Sequence, residues 1–133
     1  MRPRLFVVTG PSGAGKGTLI RALVERRPDL AVAVSATTRS RRPGEEQGRD
    51  YTFLTDEEFD HRVEAGDFLE HVTYVSGHRY GTLREEVERI LGSGRSCILE
   101  LETQGAKEVQ ASAQTPVSSQ YPAYRQKSHR WIG

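Results

Sequence analysis

The run Gly10-Pro11-Ser12-Gly13-Ala14-Gly15-Lys16-Gly17-Thr18 gathers glycines around a single lysine, a set of residues suited to holding phosphate. Glycine lets the backbone approach an anion without Cβ clashes, successive N–H groups surround its oxygens, and a following helix contributes its N-terminal dipole. Lys16 would set its ammonium beside phosphate oxygens, balancing charge in the ground state and as it shifts during transfer. Only Lys107 and Lys127 are lysines besides it, so the basic residues are nearly all arginine. A second group of anion-binding side chains follows. Arg39 and Arg42, three apart on a bend, can fork onto one phosphate dianion, and Tyr51 and Tyr80 can donate phenolic hydroxyls to the same oxygens. Arg41 and Arg49 read as solvated surface charges. His61, His71, His78 and His129 are not spaced as a metal cluster, and an acceptor already ionised as phosphate needs no general base.

These residues need elements to position them. Residues 5–8 are an uninterrupted apolar run, read as a strand buried on both faces of a parallel sheet. Beyond the glycine-rich turn, Leu19, Ile20, Leu23 and Val24 recur at helical spacing, and Arg26, Arg27 and Pro28 close that helix. Residues 30–35 and 51–54 read as strands. Thr55 with Glu58 forms a capping box for a helix ending near Gly66. Residues 69–75 and 79–81 read as short strands around a turn at Ser76 and Gly77. A second capping box pairs Thr82 with Glu85 and starts a helix with an apolar stripe of Leu83, Val87, Ile90 and Leu91, ending at Gly92. Residues 97–101 read as the next core strand, with Glu100 and Glu102 alternating onto one side of it.

The length of 133 residues suits one modest α/β domain. A formal charge of +1, from 19 basic and 18 acidic residues, gives no bulk attraction to nucleic acid or to an anionic membrane. Cys97 has no partner for a disulfide, and the apolar run after the first residues is too short for a signal sequence or a membrane span. A cytoplasmic protein is the expectation.

Residues 10–18 resemble the P-loop. Gly17 stands where the strict pattern has Ser or Thr, and this Gly-Lys-Gly-Thr version is similar to nucleoside-monophosphate kinases, where phosphates and water largely hold the metal. Ser35-Ala-Thr-Thr-Arg-Ser-Arg-Arg-Pro-Gly-Glu45 and Gly48-Arg-Asp-Tyr-Thr-Phe53 then resemble the monophosphate-binding region of guanylate kinases specifically. The resemblance runs from about residue 4 to 109. It implies a P-loop three-layer α/β core with an inserted, mainly β GMP-binding subdomain, and phosphoryl transfer from ATP, with Mg²⁺, to GMP or dGMP. It implies ATP binding by residues 10–18, with Lys16, Arg39 and Arg42 as catalytic groups. GMP binding falls to Ser35, Arg39, Arg42, Tyr51, Glu70, Tyr80, Thr82 and Glu102. Glu70 matches the guanine carboxylate, since guanine presents adjacent N1–H and N2–H donors where adenine presents an acceptor at N1. Thr82 reads equally as a helix cap. Glu100 is left between metal-bound water and structure, and no direct metal ligand is assigned.

The expected division is a partial domain over 1–113 (core 1–35 and 83–113, GMP-binding subdomain 36–82) and a poorly ordered tail over 114–133. The family continues with a strand, an arginine-bearing lid and further core elements for which 114–133 offers no match. The expectation is therefore impaired transfer, with the C-terminal part of the core and the lid missing, and self-association through an uncovered edge of the 5–8 strand. An inactive GMP-binding fragment is a variant of this reading, and the alternative of a different class is a scaffold that binds phosphorylated peptide in the GMP cleft.

Overall fold

The computed structural model describes residues 2–9 and 15–101, and the backbone of 125–127 and 130–132. Strand β1 (Leu5–Thr9) leads to helix α1 (Lys16–Arg26) and strand β2 (Leu30–Val32). Two-residue strands β3 (Ala36–Thr37) and β4 (Thr52–Phe53) follow, then α2 (Asp56–Glu64), β5 (Phe68–Thr73), β6 (Arg79–Leu83), α3 (Arg84–Gly92) and β7 (Ser96–Leu101). β7 lies between β1 and β2 and is parallel to both, so two stretches distant in sequence meet at the sheet centre.

The register sets Leu5 beside Cys97 and Val7 beside Leu99. These side chains share one face, and Val87 and Ile90 of α3 close over them in one core cluster. Burial pushes the Cys97 thiol up to about 12. The other face carries Phe6, Val8, Ile98 and Glu100, and Gly17 at the start of α1 lies near the Glu100 carboxylate. Helix, parallel sheet and helix thus form three layers. The second face is the less covered one. Phe6 and Val8 are only half-buried, which corrects the reading of 5–8 as a strand buried on both faces. On α1, Ile20 is buried while Leu19 is 56% exposed and Leu23 39%, because no described element packs over that part of the helix.

A second sheet has the order β4-β3-β6-β5, with β3 parallel to β4 and the β3–β6 and β6–β5 pairs antiparallel. Beneath it Phe59 of α2 stacks on Phe68 with ring centroids 4.5 Å apart. The first capping box forms as read: the Thr55 hydroxyl accepts from the Glu58 N–H, and Glu58 accepts from the Thr55 N–H. The second does not. Leu83 is the N-cap of α3, with no side-chain cap, because Thr82 is still in β6 and its hydroxyl is used elsewhere.

β5 and β6 pair with a register shift between Phe68 and Glu70. Such a bulge breaks the simple alternation of faces. Phe68 joins the cluster around Phe59, Leu69 joins the cluster under α3, and Glu70 turns into the cleft described below. Gly81 makes this close pairing feasible, since a Cβ there would stand 2.7 Å from the Phe68 ring and 2.8 Å from the Glu70 carbonyl oxygen.

Within 114–133, expected to lack order, the described backbone forms an antiparallel pair, β8 (Arg125–Lys127) and β9 (Arg130–Ile132), with β9 approaching β1. The free edge of β1 carries no ladder among the described residues. No helix among them is long and apolar enough to cross a membrane.

Candidate functional site

A cleft of about 830 Å³ opens between the two sheets. At one end stand Gly15, Lys16, Gly17 and Thr18, where the chain enters α1. Gly15 takes φ +83°, a left-handed turn that glycine adopts without strain. Glu100 projects from the carboxyl end of β7 into the same region. At the other end stand Ser35, Tyr51, Glu70 and Tyr80. Ser35 is held in place through its neighbours: the Ala33 N–H donates to the Ile98 carbonyl at 3.0 Å, and the Val34 N–H donates to Glu86 Oε2 at 2.6 Å.

Glu70 is 5% exposed, and its Oε1 accepts the Thr82 hydroxyl at 2.7 Å. Thr82 is buried behind it, so of its two readings the structure realises a side-chain contact with Glu70 and not the helix cap. A carboxylate fixed in a buried position and facing a cleft can receive two neighbouring N–H donors from a flat ligand.

The two arginines expected to fork onto phosphate lie differently. Arg39 is 8% exposed, and its guanidinium donates to both Glu45 oxygens, at 3.1 and 2.9 Å, and to the Ser40 carbonyl at 3.0 Å. It lies over the Tyr51 ring, 5.1 Å from the centroid. Arg42 gives its backbone N–H to the same carboxylate at 2.8 Å while its side chain remains exposed. Neither is among the cleft-lining residues; Arg39 stands behind Tyr51, which is. Arg41 and Arg49 are exposed, as read, and also make local bonds. Arg41 donates to the Glu45 carbonyl, and Arg49 bridges Glu46, Asp50 and the Gly44 carbonyl while lining the cleft. Gly10 to Ala14 and Glu102 lie outside the described residues.

Sequence reasoning missed Glu45, the counter-ion of Arg39. The signal available was a carboxylate just past the Pro43-Gly44 turn, where Gly44 at φ +88° folds the chain back. Arg39, helped by the Arg42 N–H, holds the Glu45 carboxyl down at about 2, from an ordinary 4.5. Its folded value is depressed, so the contribution to stability is fully present above pH 4.5 and is lost as pH falls through about 2. Urea denaturation of wild type and Glu45→Gln across this range is expected to show a gap that narrows below 4.5 and closes near 2. A gap that persists unchanged at the acid end would refute the ion-pair account. Sequence reasoning also passed over Tyr74, whose ring meets Tyr80 edge-on at 5.2 Å, and Arg21; both line the cleft.

Fold and cleft together define an α/β protein in which Gly15 to Thr18, at the start of α1, and the buried Glu70 carboxylate line one cavity. The model of the guanylate kinase family matches residues 2–120, and the chain belongs to that family. It is 58% identical over 108 residues to a guanylate kinase of Rubrobacter xylanophilus, covering 81% of this chain and 56% of that protein. With a guanylate kinase of Thermotoga maritima it shares 49% over 109 residues, 82% and 52% of the two chains. The crystal structure of guanylate kinase from Anaplasma phagocytophilum superposes with a TM-score of 0.66 at 31% identity, covering 84% of this chain and 54% of that one. The chain spans about half the length of the curated relatives it matches.

Proposed function

We propose that this chain binds ATP and GMP in the one cleft and takes part in phosphoryl transfer from the first to the second, giving ADP and GDP. The observation that carries the reading is the pairing of Lys16 at one end of the cleft with the buried, Thr82-anchored Glu70 at the other. Lys16, with residues 10–18, receives the donor phosphates. Glu70 accepts the guanine N1–H and N2–H, helped by Ser35 and Glu102. Tyr51, Tyr80 and Arg42 take the acceptor phosphate, while Arg39, clamped by Glu45, adds positive charge from behind Tyr51. Recognition through the base admits dGMP as well. The attacking oxygen belongs to an ionised phosphate, so catalysis is positioning and charge stabilisation.

Mg²⁺ fits the donor set. The Glu100 carboxylate and the Thr18 hydroxyl are hard oxygen donors at the Lys16 end, and the bare Gly17 leaves room beside Glu100 Oε1. Few protein ligands suit an ion that keeps much of its water and binds mainly phosphate. When bound, it would neutralise charge on the donor phosphates. A cytoplasmic setting accords with this reading, since an unpaired thiol stays reduced there.

The test is GMP-dependent ADP formation by the purified chain, with ATP and GMP binding measured in parallel. Lys16→Ala is expected to lower turnover by on the order of 10²–10³ and to weaken ATP binding with GMP binding retained. Phosphopeptide binding with no affinity for ATP would replace the kinase reading by the scaffold.

A further inference from the structure

We propose that Arg21 is a binding residue for the donor polyphosphate, reaching it across the bare surface of Gly17. This inference rests on the reading of the Lys16 end as a nucleoside-triphosphate site. Arg21 lines the cleft together with Lys16, Gly17, Thr18 and Glu100, and it is exposed. Within α1 it comes four residues after Gly17, and therefore one turn further along the same face.

Side chains on a helix lean toward its N-terminus and cover the preceding turn. The turn that Arg21 covers is the one where Gly17 has no side chain. Among the described residues, a Cβ built on Gly17 would meet only Glu100 Oε1, at 3.8 Å. Among the described residues, the bare Gly17 leaves a long side chain at position 21 room to extend toward the Lys16 end of the cleft. A Ser or Thr at position 17 would narrow that path.

Charge supports the same assignment. Arg27, Arg39, Arg49, Arg62, Arg79 and Arg89 each carry a carboxylate partner. Of the two arginines that line the cleft, Arg49 is paired with Glu46 and Asp50, whereas Arg21 makes no ion pair among the described residues. The guanidinium fork matches two phosphate oxygens at once, which a lysine at the same place would not do. The ligand class is a linear polyphosphate, free or as the tail of a nucleotide.

Titration calorimetry of the intact chain with tripolyphosphate and with ATP tests this, using Arg21→Ala, Arg21→Lys and Lys16→Ala and a thermal-denaturation check on each. Arg21→Ala is expected to weaken both ligands about tenfold or more, with Arg21→Lys intermediate and GMP affinity unchanged. If Arg21→Ala binds both ligands like wild type while Lys16→Ala does not, Arg21 is a solvated surface charge and the inference fails alone. Equal losses for GMP and ATP would also overturn it, because the arginine would then serve the cleft generally. If wild type binds neither ligand, or Lys16→Ala changes nothing, the triphosphate reading falls and takes this inference with it.

Discussion

Glu70→Gln is expected to weaken GMP binding by on the order of 10²-fold, from the loss of charge-assisted bonds of roughly 1.5–3 kcal/mol each. The carboxylate is buried and anchored by the Thr82 hydroxyl at 2.7 Å, so it cannot swing away and let water take its place. An amide of the same shape keeps the packing but removes the charge, and one of its orientations turns an NH₂ group toward the guanine donors. Discrimination against AMP should fall in parallel, because the carboxylate also rejects the adenine N1 acceptor. Parallel titrations with GMP and AMP measure both effects. Unchanged GMP affinity in a folded variant would remove Glu70 from the base site.

Phe59→Ala is expected to cost about 3–5 kcal/mol, the range for deleting a buried aromatic ring. Phe59 is fully buried, stacks on Phe68 at 4.5 Å and carries the Arg79 guanidinium 4.3 Å above its ring. Arg79 is in turn held by Asp60, one residue further along α2. The ring therefore supports both the helix and the strand pair that presents Glu70. A domain with ordinary stability of about 5–15 kcal/mol would lose a large part of it. Urea denaturation measures the loss, and a cost below about 1 kcal/mol would mean that the cluster can collapse around the gap.

The parts of this molecule legible in its sequence are those decided by near neighbours. The Thr55–Glu58 box joins residues three apart and forms as read. Thr82 and Glu85 have the same spacing, yet no box forms, because the Thr82 hydroxyl finds Glu70 twelve residues away across the strand pair. Local pattern states what a side chain can do, and tertiary partners decide what it does. Arg39 illustrates this again: its chemistry was plain, but its fork closes on Glu45, which only the turn at Gly44 brings near. The helical stripe of Leu19 and Leu23 marked the right helix and overstated its burial. Strand order was the least legible feature, since the pairing of β1 with β7 depends on chain crossings that no local spacing records.

The shift between Phe68 and Glu70 gives three consecutive residues three different duties. Phe68 serves the cluster of the second sheet, Leu69 the cluster under α3, and Glu70 the nucleotide cleft. The carboxylate of the cleft and the two hydrophobic clusters are thereby locked to one register. Over evolutionary time this tripeptide cannot drift one residue at a time: a single insertion or deletion here would exchange a carboxylate with a hydrophobic side chain at the wall of the cleft. A change of the group presented to the cleft that spares both clusters has to come by substitution at position 70 within an unaltered frame, with Gly81 kept opposite to leave the frame its room.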